Sequence, residues 1–307
     1  VVFAARIEIV VDPVDTRLGQ PARLVGCEQS ETCTDVKGQF RLDAAHNPDE
    51  VFHFAVGGTA PRGHDAEGAG PCFGGGTGLP SLLGGMKSNP WVDLHAVVTM
   101  FDSGGSSGQL RDELGVLPPG DILKCALALA RNEREARQIL LSRLPILEHG
   151  RLAGHTGGNL LLSMMEQYSG DFVAAIEGLR LLLGCHGRVW PITTAKATLC
   201  AHYEGGLTTR GEVEVDRGQA DGQRIERVHL DPPVTIHPRV AEVIAGLDAV
   251  VIGPGSFFTS LMPIFAVDGC REAMRQMNGP VLLVAKLPAR HFSNTIPKVQ
   301  LFTQRLT

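Results

Sequence analysis

From Phe73 to about Ala285 the chain alternates short apolar runs with stretches in which apolar residues return every three or four positions. Residues 94–100, 249–252 and 281–285 are apolar runs of strand length. Residues 79–86, 107–114, 121–130, 133–144, 160–168, 172–183, 240–247 and 271–277 carry the helical period. Strands separated by helices predict an α/β fold, a mostly parallel, doubly wound sheet with helices on both faces. Residues 189–192, 197–203, 208–215 and 225–230 read as a β-meander inserted at about 189–230. The turns "EGG" (204–206) and "QADGQ" (219–223) punctuate it. Alternation in "RGEVEVDRGQ" predicts a ribbon with one solvated face.

Outside this stretch the pattern fades. Residues 1–70 hold two strand-like runs, 6–11 and 51–56, among irregular sequence that ends in the linker-like "GGTAPRGHDAEGAG". Residues 286–307 have neither a helical period nor a strand. The expected division is therefore an irregular N-terminal segment (1–70), a ligand-binding domain (71–285) and a divergent tail (286–307).

Composition narrows the function classes. In 307 residues, 28 basic and 33 acidic side chains leave a formal charge of −5 with no block of like charge, so nucleic acid and anionic membrane surfaces are not the expected partners. No apolar run is long enough to span a bilayer, and the start lacks the pattern of a signal peptide, so the expected location is cytoplasmic. Seven cysteines include no C-x-x-C pair. Cys125, Cys185, Cys200 and Cys270 lie in apolar stretches and read as core residues. Cys27, Cys33 and Cys72 lie in less regular sequence without a zinc-like spacing.

Glycine is the informative excess, 37 residues in all with dense clusters at three strand-to-helix junctions and one helix start. The first junction is "CFGGGTGLP", where Gly75, Gly76 and Gly78 let the backbone approach a ligand and Thr77 adds a hydroxyl. The helix that follows would aim unpaired N–H groups at an anion. The sequence is neither a P-loop nor a full dinucleotide fingerprint, and a purely architectural tight turn fits it equally well. The second is "DSGGSSG". Asp102 stands at a strand end, suited to a hydroxyl, a base edge or a metal. Ser103 and Ser106 offer hydroxyls, and Gly104 and Gly105 a candidate anion nest. Ser106 is also a good helix N-cap, as is Asp121 in "LPPGD"; ligand contact is the expectation for Asp102 and capping for Asp121. The third is "GPGSFFTS", where Gly253, Pro254, Gly255 and Ser256 turn the chain sharply after a buried strand, with Thr259 and Ser260 following. In "GHTGGNLLL", Asn159 reads as a cap or as an amide that contacts a base or sugar. His155 reads as a hydrogen-bonded structural residue before an acid–base catalyst. Motifs of nucleophilic hydrolases and zinc proteases do not occur. The favoured chemistry is phosphate recognition by amides and hydroxyls, with Asp102 as a ligand for Mg2+ if a metal takes part.

Taken in order, "GGGTGL", "DSGGSSGQLRDELGVLPPGD", "GHTGGNLLL" with "SGDFVAAIEGL", and "VIGPGSFFTSLMP" resemble the superfamily of 2-phospho-L-lactate transferase (CofD-like) and the gluconeogenesis factor, closest to the gluconeogenesis-factor (YvcK-like) branch. The resemblance runs from about Phe73 to Ala285. It implies a Rossmann-like core and a site for a nucleotide-linked small molecule, in this branch a UDP-sugar. The expected role is then a regulator of carbon metabolism and of cell-wall or cell-shape control. The transferase branch implies the alternative, a Mg2+-dependent enzyme moving a phospho-organic acid from a GDP carrier to a deazaflavin alcohol, with Asp102 catalytic. By motif, Gly75–Gly78, Asp102, Gly104, Gly105, Asn159 and Gly253–Ser256 are the contact positions. The resemblance and the apolar helices are compatible with a homodimer. Three departures stand out. Ser103 replaces a second aspartate, the strand before the first turn is reduced to "GPCF", and the sequence after "GPVLLVAK" diverges.

Overall fold

In the computed structural model, which describes residues 7–11, 68–76, 78–145, 152, 154–277 and 279–285, Ile7–Val11 forms β1 and Gly68–Gly74 forms β2. After α1 (Gly78–Met86) comes β3 (Val92–Val98), and then five helices in succession. They are α2 (Gly105–Leu114), α3 (Gly120–Leu129), α4 (Glu133–Leu140), α5 (Gly157–Ser169) and α6 (Phe172–Leu183). The chain re-enters the sheet as β4 (Arg188–Pro191). It then builds β5 (Thr198–Tyr203), β6 (Thr208–Arg210), α7 (Glu212–Ala220) and β7 (Ile225–Asp231). Helix α8 (Pro238–Ala245), β8 (Val250–Ile252), a π-helical turn (Phe257–Leu261), α9 (Met262–Phe265), α10 (Cys270–Gln276) and β9 (Val281–Ala285) complete it.

Six strands pair in parallel in the order β1-β9-β8-β2-β3-β4, and β6-β5-β7 form a small antiparallel sheet. This is the Rossmann-like, mostly parallel α/β architecture that the alternating pattern predicts. From β2 the chain steps outward to β3 and β4, then returns to the opposite side of β2 for β8 and β9. The strand order thus reverses between β2 and β8, the place where open α/β sheets bind ligands beyond their carboxyl ends.

The core joins Phe73, Val97, Val98, Ile252 and Leu283 of the sheet to Leu79, Leu82 and Leu83 of α1 and Ile122, Leu123 and Leu127 of α3. Helix α3 is apolar nearly all round, and every residue in it except Lys124 is buried. Such a helix has no solvent side. It lies against α1, β3 and β4 and is covered in turn by α4, α5 and α6.

The structure corrects several expectations. The run 189–192 is not part of a meander; as β4 it pairs with β3 in the parallel sheet. The segment 208–215 is a strand only to Arg210. Gly211, at φ 95°, turns the chain and α7 begins, so the predicted ribbon is a helix. Glu212 and Glu214 sit in its first turn, where the negative charge of Glu214 complements the helix dipole, and only Val215 is buried. The strand before the first glycine turn is not reduced, because Gly68–Gly74 pairs with β3 along its whole length. Cys72 lies in that strand, and burial pushes its thiol up to about 12, which suits an inert core residue. The predicted run 6–11 appears as β1, while 51–56, Cys27, Cys33 and Thr77 lie outside the described residues.

Candidate functional site

The three glycine junctions leave the carboxyl ends of β2, β3 and β8, so the topology alone makes them neighbours. The first and third touch. A Cβ on Gly78 would lie 2.3 Å from the Pro254 carbonyl oxygen, closer than any side chain tolerates, so glycine is what lets these turns meet. A Cβ on Gly255 would lie 3.7 Å from the Gly75 oxygen, and one on Gly76 3.4 Å from Ser260 Oγ. Gly76 has φ 67°, a conformation that favours glycine, and this directs its N–H towards α3.

There the N–H donates to Asp121 Oδ2 at 2.7 Å. Asp121 is therefore not the helix cap that its position in "LPPGD" predicts. Pro119 occupies the cap, and Asp121 sits one place inside the helix, 5% exposed, with Oδ1 2.9 Å from Lys124 Nζ. Burial alone would lower the Lys124 pKa, but the Asp121 carboxylate outweighs it and holds the ammonium above its ordinary value. The ion pair fixes the carboxylate, and the carboxylate fixes the first turn.

At the second junction Asp102 Oδ1 accepts from Gly104 N–H at 2.7 Å, closing the turn on itself. Gly104 is the N-cap of α2. The other oxygen faces the start of α3, 3.6 Å from where a Gly120 Cβ would stand. Ser106, read from sequence as a cap, lies inside α2. Its Oγ is 2.9 Å from His155 Nδ1 and accepts from Asn159 Nδ2 at 3.1 Å. All three side chains are buried. The cap of α5 is Thr156, whose Oγ1 accepts from Asn159 N–H at 3.3 Å. Asn159 thus braces α5 against α2 behind the turn, and His155 is the hydrogen-bonded structural residue that its setting suggests. Gly105, Gly255 and Ser256 remain accessible along the rim.

Helix α7 closes the arrangement from the far side. Val213 N–H donates to Ser103 Oγ at 3.3 Å, and Thr259 Oγ1 donates to Asp216 Oδ1 at 3.0 Å, so one helix bridges the second and third junctions. Glu212 meets Asp102 directly. Burial first, then the Asp102 charge and the hydrogen bond between the two, push the Glu212 carboxyl up to about 9, so Glu212 keeps its proton at neutral pH. Glu212 and Asp216 went unrecognised as site residues because "GEVEVD" reads as a strand. Their i, i+4 spacing after a glycine was the available signal that one helix face carries both.

Among the described residues no group of three or more His, Cys, Asp or Glu side chains is arranged to hold a metal. Asp102 and Glu212 offer hard oxygen donors of the two-carboxylate kind on which Mg2+ relies when water and ligand phosphates complete its shell. A separate cleft of about 710 Å³, bordered by Lys87, Asn89, Asp93, Arg131 and His186, lies by the amino ends of β3 and β4, away from the turns. Lys87 is engaged there by Glu133 and the Ala130 carbonyl.

The family model described as 2-phospho-L-lactate transferase CofD matches residues 72–291, the span that holds all three junctions and α7. The chain belongs to the CofD family. Similar proteins include the putative gluconeogenesis factor of Thermotoga maritima, 37% identical over 214 residues covering 70% of this chain and 66% of that one. That of Deinococcus radiodurans is 41% identical over 216 residues, 70% of this chain and 45% of its own. The gluconeogenesis factor of Bacillus subtilis is 41% identical over 192 residues, 62% of this chain and 59% of its own. The match thus spans between about half and two thirds of these relatives. Two crystal structures of a UPF0052 family protein from Bacillus halodurans share the fold. One has TM-score 0.64 at 38% identity (69% of this chain, 67% of that one), the other 0.70 at 33% (78% and 77%). No described helix of this family member is long and apolar enough to cross a membrane.

Proposed function

We propose that the chain binds a nucleotide-linked compound of the UDP-sugar type in the crevice between the three junctions. There it acts as a regulator in carbon metabolism and in cell-wall or cell-shape control rather than as a catalyst of turnover. The observation that carries this reading is the direct contact of the first and third turns at the reversal of strand order, with the Gly76 amide clamped by buried Asp121. Backbone amides at such a place suit a diphosphate, whose charge is spread over several acceptor oxygens. Ser103 stands where the resembling branch has a second aspartate, and its hydroxyl receives the α7 backbone instead of adding a carboxylate. The gluconeogenesis-factor names of the relatives support the regulatory setting.

Titration calorimetry with UDP-N-acetylglucosamine, UDP and GDP tests the reading, followed by long incubation and product analysis. Saturable UDP-sugar binding without product is expected; heat indistinguishable from dilution for all three compounds would remove it.

The Asp102–Glu212 pair favours a second reading, transfer of a phospho-organic acid from a GDP-linked donor to a deazaflavin alcohol. In it these carboxylates would hold Mg2+, which would neutralise diphosphate charge. Product formation that needs both Mg2+ and Asp102 would establish it.

A further inference from the structure

The cleft of about 710 Å³ at the amino ends of β3 and β4 has no part in the chemistry of the crevice. It lies beyond the last turns of α1 and α3, with the length of α3, about 15 Å, between the two. Two crossing backbone bonds build it. Arg131 N–H, in the link from α3 to α4, donates to the Leu183 carbonyl at the end of α6 at 3.2 Å. His186 N–H, in the link from α6 to β4, donates to the Leu129 carbonyl at the end of α3 at 2.8 Å. The two links are thereby laced together, and both side chains border the cleft. Gly187 lets the second link pass. It has φ 121°, and a Cβ there would stand 2.6 Å from the Leu94 carbonyl oxygen of β3. At the start of β3, Asp93 is fixed from behind. Trp190 Nε1 donates to buried His95 Nδ1 at 3.2 Å, so the His95 proton sits on Nε2 and goes to Asp93 Oδ2, also at 3.2 Å. Asp93 Oδ1 is left as an acceptor.

We infer that this cleft is a second small-molecule site, for a sugar phosphate, with Arg131 holding the phosphate and Asp93 the sugar hydroxyls. The free cation is the first argument. Arg131 is exposed, and among the described residues its guanidinium has no ion-pair or hydrogen-bond partner. A guanidinium without a carboxylate presents its whole fork of donors to a phosphate. Lys87 adds the third of its ammonium donors, the other two going to Glu133 and the Ala130 carbonyl. The His186 ring, exposed and likewise unpartnered among the described residues, adds a nitrogen donor. Asp93 is the second argument. A carboxylate in the same cleft repels a compound that is anionic throughout, such as a dicarboxylate or a nucleoside triphosphate, and accepts from hydroxyls instead. The cleft therefore suits a ligand with one anionic end and one hydroxyl-bearing end. Asn89, whose Oδ1 accepts from Trp91 N–H at 3.0 Å, keeps its Nδ2 as a donor for the same hydroxyls. Size and lining are the third. The volume is that of a small-molecule site. No Phe, Tyr or Trp borders it, so a nucleobase would find no such ring to stack on.

Titration calorimetry on the full chain with glucose 6-phosphate, glucose 1-phosphate and ribose 5-phosphate tests this, with glucose and inorganic phosphate as partial probes. At least one of the three sugar phosphates should bind saturably, and both partial probes at least tenfold more weakly. Arg131→Gln and His186→Ala should each weaken that binding at least tenfold. Both side chains are exposed, so the melting temperatures of the free variants should match that of the wild type. Saturating UDP-N-acetylglucosamine should not displace the sugar phosphate, since the crevice lies at the other end of the sheet. Heat indistinguishable from dilution for all three sugar phosphates overturns the inference. So does inorganic phosphate that binds as tightly, which would mark a simple anion site, and so does sugar-phosphate binding that both substitutions leave intact or that UDP-N-acetylglucosamine displaces.

Discussion

Asp121 holds the backbone of Gly76 across 45 positions of sequence, at 2.7 Å and almost out of reach of solvent. One carboxylate thereby ties the most enclosed helix of the protein to the turn that leads from β2 into α1. Replacing Asp121 with alanine leaves the Gly76 N–H and the Lys124 ammonium without this partner. The expected cost is about 2 kcal/mol, less than for a wholly buried pair because Lys124 is partly solvated. Urea unfolding reads the stability, and calorimetry should show UDP-sugar binding lost in protein that is still folded. Unchanged affinity in Asp121→Ala would separate the clamp from the ligand.

Gly78 and Gly105 make a contrasting pair. A Cβ on Gly78 meets the Pro254 carbonyl at 2.3 Å, so Gly78→Ala must force the two turns apart; a cost of about 2 kcal/mol is expected, with loss of binding. Gly105 at φ 50° has open space around its Cβ position, so Gly105→Ala bears only left-handed strain, about 1 kcal/mol. Thermal melts of the two variants should rank in that order, and equal shifts would refute the contact between turns.

The proton held by Glu212 beside Asp102 makes stability depend on pH. The Glu212 carboxyl has an ordinary value of 4.5 and is raised to about 9 in the fold. Between these limits the native state binds the extra proton, so its stabilisation is complete below about 4.5 and is lost as pH rises through about 9. Glu212→Gln keeps a hydrogen-bond donor towards Asp102 and removes the titration. Its advantage over wild type should therefore widen from pH 5.5 to pH 8.5 in denaturant unfolding. Parallel pH profiles for the two proteins would contradict the assignment.

Ser106→Ala tests the brace behind the second turn. His155 and Asn159 both lose their shared partner inside the protein, at an expected cost of about 2 kcal/mol. A melting temperature equal to that of wild type would show the network to be dispensable.

The parallel sheet was legible in sequence where a buried strand is mostly apolar, as in 94–100 and 249–252, and less so at β2, whose glycine-rich Gly68–Gly74 carries no such run. The three glycine junctions were legible because chain turns that approach one another cannot carry side chains, a demand visible residue by residue. What stayed hidden depends on distance. Asp121 after two prolines looks like any helix cap, and only the fold brings Gly76 within 2.7 Å of it. The "EVEV" run alternates as a strand should, yet Gly211 and the acidic first turn make it a helix. Local alternation could not reveal that one face of this helix would meet Asp102 and Thr259. Periodicity places Asn159 at a helix start, but only the fold shows its Nδ2 donating to Ser106 while its buried Oδ1 has no partner.

Helix α3 has no exposed flank through which it could fray separately. Its backbone amides should exchange with deuterium only when the entire molecule opens, at the slowest rate in the chain. The clamp on Gly76 is anchored at the start of that rod. Its lifetime is then set by global unfolding, and the crevice keeps its shape between visits of a ligand instead of rebuilding it each time.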